Sequence, residues 1–143
     1  MDIAIDVTAA PQAEDLAVIS AGLTDFNESD VGPSGRVPLA VLLRDETGVV
    51  RGGLSGTTAW GWLYVQWLFV AEPLRGQGLA GRLLAAAEAE AEARGCHGAF
   101  IDTFNPKAES AYRRQGYEVF GVLPDFPVGR RRVFLQKPLV PRR

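Results

Sequence analysis

Residues able to ligate a metal through nitrogen or sulfur are almost missing: the 143 residues include one cysteine, Cys96, and one histidine, His97. This excludes an intrachain disulfide framework and suits a reducing compartment. It also leaves too few ligands for a Cys/His zinc site, so no metal is expected. Charge of one sign is equally scarce. Fifteen Lys and Arg stand against 17 Asp and Glu, whereas a general binder of nucleic-acid backbone needs a large basic excess. The longest apolar run, Trp62 to Ala71, is interrupted by Gln66 and falls far short of the ~20 residues of a membrane helix. Met1 to Val7 carries Asp2 and Asp6 where a signal peptide needs basic residues. A soluble, cytoplasmic protein is expected, with neither nucleic acid nor membrane as partner. No repeat, low-complexity tract or linker offers a boundary, so one domain over residues 1–143 is expected.

What is present changes character halfway. Residues 2–7 alternate polar and apolar and predict a short strand. Residues 12–26 carry a loose helical pattern, and Asn27 to Pro38, rich in Gly, Pro, Ser and Asp, predicts a loop. Leu39–Leu43, Val49–Thr58 and the aromatic Trp60–Val70 predict three strands of an antiparallel meander. From there the period lengthens. Leu79, Leu83, Ala87 and Ala91 recur four apart, with Arg82, Glu88 and Glu92 elsewhere on the helix, predicting a helix to Arg94 capped by Gly95. Glu90 stands four residues before Arg94, a favourable pair. Gly98–Asp102 predicts a strand, Asn105-Pro106 opens a second helix that Gly116 ends, and 117–123 and 133–136 predict the last strands. Strand 60–70, helix 79–94 and strand 98–102 form a β-α-β unit, whose two strands are parallel in an otherwise antiparallel sheet.

Chemistry concentrates at the strand-to-helix junction. Arg75-Gly76-Gln77-Gly78-Leu79-Ala80-Gly81 leads from a strand into a helix N-terminus. Such a turn presents backbone N–H groups, backed by the helix dipole, to an anion. Three glycines in six residues, beside an arginine, favour a phosphate ligand over a merely structural turn. The Gly-Lys-Ser/Thr ending of a triphosphate loop is absent. Gly76 to Gly81 does match G-x-G-x-x-G, and Asp102 ends the next strand about where a ribose-binding acid would stand. However, Ala71 to Arg75 intervene between strand and first glycine, and too little chain follows for a doubly wound fold.

Arg75-Gly76-Gln77-Gly78-Leu79-Ala80 resembles the Q/R-x-x-G-x-G/A motif of the GNAT superfamily of acyl-CoA N-acyltransferases. A second block is similar too. Asn105, Ala108, Ala111, Tyr112, Gly116 and Tyr117 resemble the family's N-x-x-A-x-x-L-Y-x-x-x-G-F, with Ala111 for leucine and Tyr117 for phenylalanine. The resemblance covers nearly the whole chain. It implies a mixed α/β fold: a mostly antiparallel central sheet, a splayed parallel pair in the middle, and helices on both faces.

The resemblance further implies an N-acetyltransferase using acetyl-CoA as co-substrate and a small-molecule or peptide amine as acceptor, by direct attack in a ternary complex. The backbone of Arg75, Gly76, Gln77, Gly78, Leu79, Ala80 and Gly81 would hold the pyrophosphate. The strand end at Leu68, Phe69 and Val70 would pair with the pantetheine arm and stabilise the developing oxyanion. Tyr112 is the expected general acid for the departing thiolate, and Asn105, besides capping its helix, would contact the cofactor arm. No general base stands out: Trp60 to Val70 holds no acid, Glu72, Tyr64, Asp30 and Asp125 read as structural, and a relayed water fills the gap. Cys96 and His97 read as filler, and Arg130-Arg131-Arg132 as a solvated strand entrance. Trp60, Trp62, Tyr64, Trp67, Phe26 and Phe126 are candidates for an acceptor pocket, alternation setting Trp60, Trp62 and Tyr64 on one face and Trp67 and Phe69 on another. The same aromatics could instead bury a homodimer interface. The alternatives are a non-catalytic acyl-CoA sensor and, behind it, a dinucleotide-binding oxidoreductase fragment.

Overall fold

The computed structural model describes residues 1–142, which divide into two compact units, one of residues 1–34 and one of the described residues from 35 onward. In the first, α1 spans Ala13–Val31 and buries none of its residues. The helix runs past the expected loop start because Asn27 to Val31 hold no Gly or Pro. It stops at Gly32, which adopts φ +94° and donates its N–H to the Glu28 carbonyl. Ser34 donates its N–H and hydroxyl to Oε1 of Glu28, holding that carboxyl below its ordinary range. Residues 2–7 form no strand, with Ile3, Ile5 and Val7 exposed: alternation makes a strand only where an edge accepts it.

The second unit is a six-stranded sheet in the order β1-β2-β3-β4-β6-β5. Its strands are β1 Val37–Arg44, β2 Val50–Ala59, β3 Trp62–Val70, β4 Gly98–Thr103, β5 Glu118–Pro124 and β6 Arg131–Pro138. Helix α2 spans Leu79–Ala93 and α3 spans Pro106–Arg114. Among the described residues only β3 and β4 are parallel. The fold is therefore the mixed α/β architecture expected, with one parallel pair at its centre.

Local chemistry sets the turns. Between β1 and β2, Asp45 accepts hydrogen bonds from Thr47 and Val49 and from the Arg51 side chain. The Thr47 hydroxyl, then Arg51, hold its carboxyl far below the usual range. Trp60 and Gly61, at φ +47° and +77°, make the two-residue turn between β2 and β3. The third strand consequently starts at Trp62 rather than Trp60.

Helix α2 packs over β1, β2 and β3, while α3 packs on β4 and touches α2. Leu83, Leu84, Ala87 and Ala91 meet Leu63, Val65, Ala99, Ile101, Val133 and Leu135 in the core. Of the expected helix face Leu83, Ala87 and Ala91 are buried and Leu79 partly so, and Leu84 and Glu88 join them. Glu88, read as part of the polar surface, is 7% exposed and bonded on every side: Tyr117 hydroxyl at 2.8 Å, Lys137 Nζ at 2.7 Å, Gln115 Nε2 at 3.4 Å. The Glu90–Arg94 pair forms at 2.7 Å, and Arg94 also donates to the Val37 and Pro38 carbonyls.

Candidate active site

The site starts from one extra residue. Gly56 pairs with Val65 and Ser55 with Trp67, leaving Gln66 as a bulge in β3. A bulge shifts the side-chain alternation by one. Trp67 and Phe69 consequently join Trp62 and Tyr64 on one face, correcting the two-faced arrangement expected from unbroken alternation. Leu68 and Val70 turn instead toward the core under α2. The register requires glycine at the partner position: a Cβ on Gly56 would lie 1.9 Å from the Tyr64 carbonyl oxygen.

The central strands part at the same level. Parallel pairing joins Trp62–Val65 to Gly98–Ile101 and ends there. Beyond it β3 follows β2 to Val70, while Asp102 and Thr103 follow β6. The gap opens toward the glycine turn. Gly76 and Gly78 adopt φ +81° and +73°, and a Cβ on either would meet no atom within 4 Å. Backbone conformation therefore demands these glycines, and the space before them is open. No side chain caps α2, and its first turn holds no acid, so its leading N–H groups remain available to an anion. Arg75 donates from Nε to the Val70 carbonyl at 2.8 Å and lies 5.7 Å from the Phe69 ring, tying the turn to the end of β3.

A cavity of about 760 Å³ follows this turn between β3, α2 and α3. Leu68, Phe69, Val70, Arg75, Gly76, Gly78, Leu79, Ala80, Gly81 and Asn105, the residues expected to hold the cofactor apart from Gln77, line it; Gln77 is exposed and outside the lining. Sequence reasoning overlooked the other wall, formed by Ala108, Ala111, Gln115 and their neighbours on α3. The i, i+3, i+7 spacing of those three was the available signal. Asn105 caps α3, its Oδ1 accepting from the Lys107 and Ala108 N–H groups at 2.9 and 3.2 Å. Only its amide nitrogen is left to meet a ligand.

Tyr112 is 6% exposed and lines both this cavity and a second of about 370 Å³ on the Trp67 side. Burial first, then the charge of Asp102, push its phenol up to about 12. The hydroxyl is thus a protonated donor at neutral pH. Leu68 and Phe69 also line both cavities, placing the strand gap between them.

Asp102 does not serve as the ribose acid of a dinucleotide fold. Arg132 donates to its Oδ1 from both Nε and Nη2, and the Tyr64 hydroxyl lies 3.4 Å from Oδ2. Neither partner was legible, because 30 residues separate Asp102 from Arg132. The basic run is not simply solvated either: Arg131 reaches Glu109 and Arg130 donates to the Phe104 carbonyl.

The other candidates fall elsewhere. Trp62 packs edge-on to His97, with ring centroids 5.4 Å apart, and its ring stands over Gly98. Tyr64 stacks on Phe100 at 4.7 Å, and Phe126 lies under the Arg132 guanidinium. Trp60 occupies the turn, Phe26 is exposed on α1, and Glu72, Asp30 and Asp125 are exposed. Cys96 is buried, which raises its thiol pKa and keeps it from acting as a thiolate. Among the described residues no group of three His, Cys, Asp or Glu could hold a metal, and no helix is long and apolar enough to cross a membrane.

Comparison with known proteins supplies what geometry leaves open. Residues 14–117 match the sequence model of the acetyltransferase (GNAT) family. The chain is similar to acetyltransferase Atu2258 of Agrobacterium fabrum, 46% identical over 125 residues, covering 87% of this chain and 91% of that protein. It is 44% identical over 85 residues to the blasticidin-S acetyltransferase of Streptomyces morookaense, covering 59% of this chain and 62% of that one. An Agrobacterium tumefaciens crystal structure superposes with a TM-score of 0.91 at 42% identity, over 96% of this chain and all of that one.

Proposed function

Because the chain belongs to the GNAT acetyltransferase family, we propose that it moves an acetyl group from acetyl-CoA to a primary amine of a small molecule or an amino terminus, by direct attack in a ternary complex. One observation carries the reading. Tyr112 lines both cavities at the gap between β3 and β4, one bordered by the glycine turn and the other by aromatic side chains.

The residues fit the carrier. Backbone N–H groups from Gly76 to Gly81, at the start of a helix without an acid in its first turn, are suited to a diphosphate. The main chain of Leu68, Phe69 and Val70, past the end of β4 pairing, is suited to an extended amide-bearing arm. An N–H there also stabilises negative charge developing on a carbonyl oxygen. When bound, acetyl-CoA supplies an activated acyl group. Tyr112 donates its proton to the departing sulfur and regains one from the attacking nitrogen, so that a neutral amine and the thioester give amide and thiol with no net proton released; an amine that arrives as ammonium first loses one proton to solvent. The gap holds the amine beside the carbonyl, which supplies most of the remaining rate.

Thiol release from acetyl-CoA tests the proposal against a panel of arylalkylamines, diamines, amino acids, a peptide with a free amino terminus, and blasticidin S, for which the streptomycete relative is named. Turnover with any amine, with N-acetyl product seen by mass spectrometry, is the expected result. Thermal stabilisation by acetyl-CoA without turnover across the panel would point to a binding module instead. Stabilisation by NADH and not by acetyl-CoA would overturn both.

A further inference from the structure

The smaller cavity holds one acid that the acetyl transfer described above leaves idle. The Asp102 side chain is 9% exposed and lines that cavity. Arg132, arriving from β6, donates from Nε at 2.8 Å and from Nη2, both to Oδ1. Its guanidinium is steadied by the Phe126 ring at 4.6 Å and the Phe104 ring at 5.8 Å. Among the described residues Oδ2 has only the Tyr64 hydroxyl, at the long distance of 3.4 Å. A carboxylate oxygen accepts more than one hydrogen bond, and a half-paired one inside a cavity favours a charged donor. The wall facing it is aromatic. Trp67, Phe69 and Phe104 line the same cavity at 68%, 59% and 43% exposure, Phe69 and Phe104 each with an arginine beside one face and Trp67 the most exposed.

We infer that Asp102 binds the acceptor: its Oδ2 takes a hydrogen bond from the amino group of a primary amine carried on a flat ring, and the ring stacks on the wall of Trp67, Phe69 and Phe104. The inference rests on the acetyl-transfer reading and names its acceptor class. Arg132 is a positioning residue that pins Oδ1 and leaves Oδ2 as the oxygen with room for a further donor. The titratable groups facing Asp102 are Tyr64 from β3, Tyr112 from α3 and Arg132 from β6. Arg132 also offsets the carboxylate's charge. A neutralised pair orients an amine without fixing it as ammonium, so the lone pair is released for attack once a proton leaves to solvent.

The test uses the whole chain, acetyl-CoA, and two amines of matched size, 2-phenylethylamine and its saturated counterpart 2-cyclohexylethylamine. The wild type should acetylate the phenyl compound with the lower KM. Asp102→Asn should raise that KM by at least about tenfold while the Kd for acetyl-CoA stays within about twofold. An unchanged amine KM, or a preference for the cyclohexyl compound, overturns the inference. If Asp102→Asn does not fold because Arg132 is left unpaired, Asp102→Glu keeps the charge and displaces the carboxyl by one methylene. An amine KM raised by about threefold or more is then expected, and an unchanged one is fatal. A purely structural ion pair would lower the melting temperature in both variants and leave the ratio of amine KM to acetyl-CoA Kd alone. A wild type that acetylates no amine at all defeats the acetyl-transfer reading. Turnover of other panel amines without 2-phenylethylamine defeats only the present inference.

Discussion

The Tyr117 hydroxyl donates to Oε2 of Glu88 at 2.8 Å, joining the loop after α3 to the buried side of α2. Tyr117 stands where the family's motif carries phenylalanine, so its hydroxyl is an addition, and Glu88 is the partner that lets it stay buried. Lys137 approaches the same carboxylate at 2.7 Å from β6. Replacing Glu88 by Ala leaves the buried Tyr117 hydroxyl unpaired and the Lys137 ammonium with the Gln115 carbonyl but no counter-charge, and is expected to cost about 2–4 kcal/mol. Tyr117→Phe, which leaves Glu88 paired with Lys137, should cost about 1 kcal/mol. Urea unfolding distinguishes the two.

Alkali should unfold the protein through its buried phenols. Burial and Asp102 push Tyr112 up to about 12 from the ordinary phenol value of 10.0, while burial and Glu88 drive Tyr117 higher still. A raised folded pKa means that the folded state holds its proton where the unfolded chain has lost it. Stability is therefore complete below pH ~10 and falls as pH climbs through the folded value, by about 2–3 kcal/mol for Tyr112 between pH 10 and 12. Melting curves from pH 8 to 11.5 should decline from near pH 10, and Tyr112→Phe should flatten the decline.

Tyr112→Phe also tests proton donation. If the hydroxyl protonates the leaving thiolate, kcat should drop by about 10²-fold or more with the Kd for acetyl-CoA unchanged. Steady-state kinetics beside calorimetric titration separates the two quantities. An unaltered kcat would assign the donor role elsewhere.

Gly78 tests the cofactor cradle. Its φ of +73° makes any side chain strained, by about 1–2 kcal/mol, yet a Cβ there meets open space. Gly78→Trp should therefore fold with a modestly lower Tm and lose the thermal stabilisation that acetyl-CoA gives the wild type. Retained stabilisation would move the diphosphate away from this turn.

Gly56 tests the bulge. A Cβ 1.9 Å from the Tyr64 carbonyl oxygen cannot be absorbed without moving backbone, so Gly56→Ala should cost about 2–4 kcal/mol and lower Tm by about 6 °C or more. Trp67 and Phe69 would lose their shared face at the same time, so acceptor KM should rise in whatever fraction folds. A wild-type Tm would show that the register tolerates the extra carbon.

Local interactions were readable from one sequence, and they decided most of the elements. The four-residue recurrence from Leu79 to Ala91 specified α2, Gly95 its end, and Asn105-Pro106 the start of α3. The arginine–glycine turn marked one wall of the larger cavity, Gln77 excepted, because backbone conformation and helix-end N–H groups are properties of a few neighbouring residues; the α3 wall it did not mark. Only the folded chain could decide the rest. Gln66 became a bulge because β2 imposed its register on β3, and that shift put Trp67 and Phe69 beside Asp102. Glu88 was drawn inside by Tyr117 and Lys137, 29 and 49 residues away in sequence. Asp102 was claimed by Arg132 from a strand that pairs with β4 only in the sheet. Desolvation and register depend on partners far along the chain, and periodicity carries no record of which partner arrives.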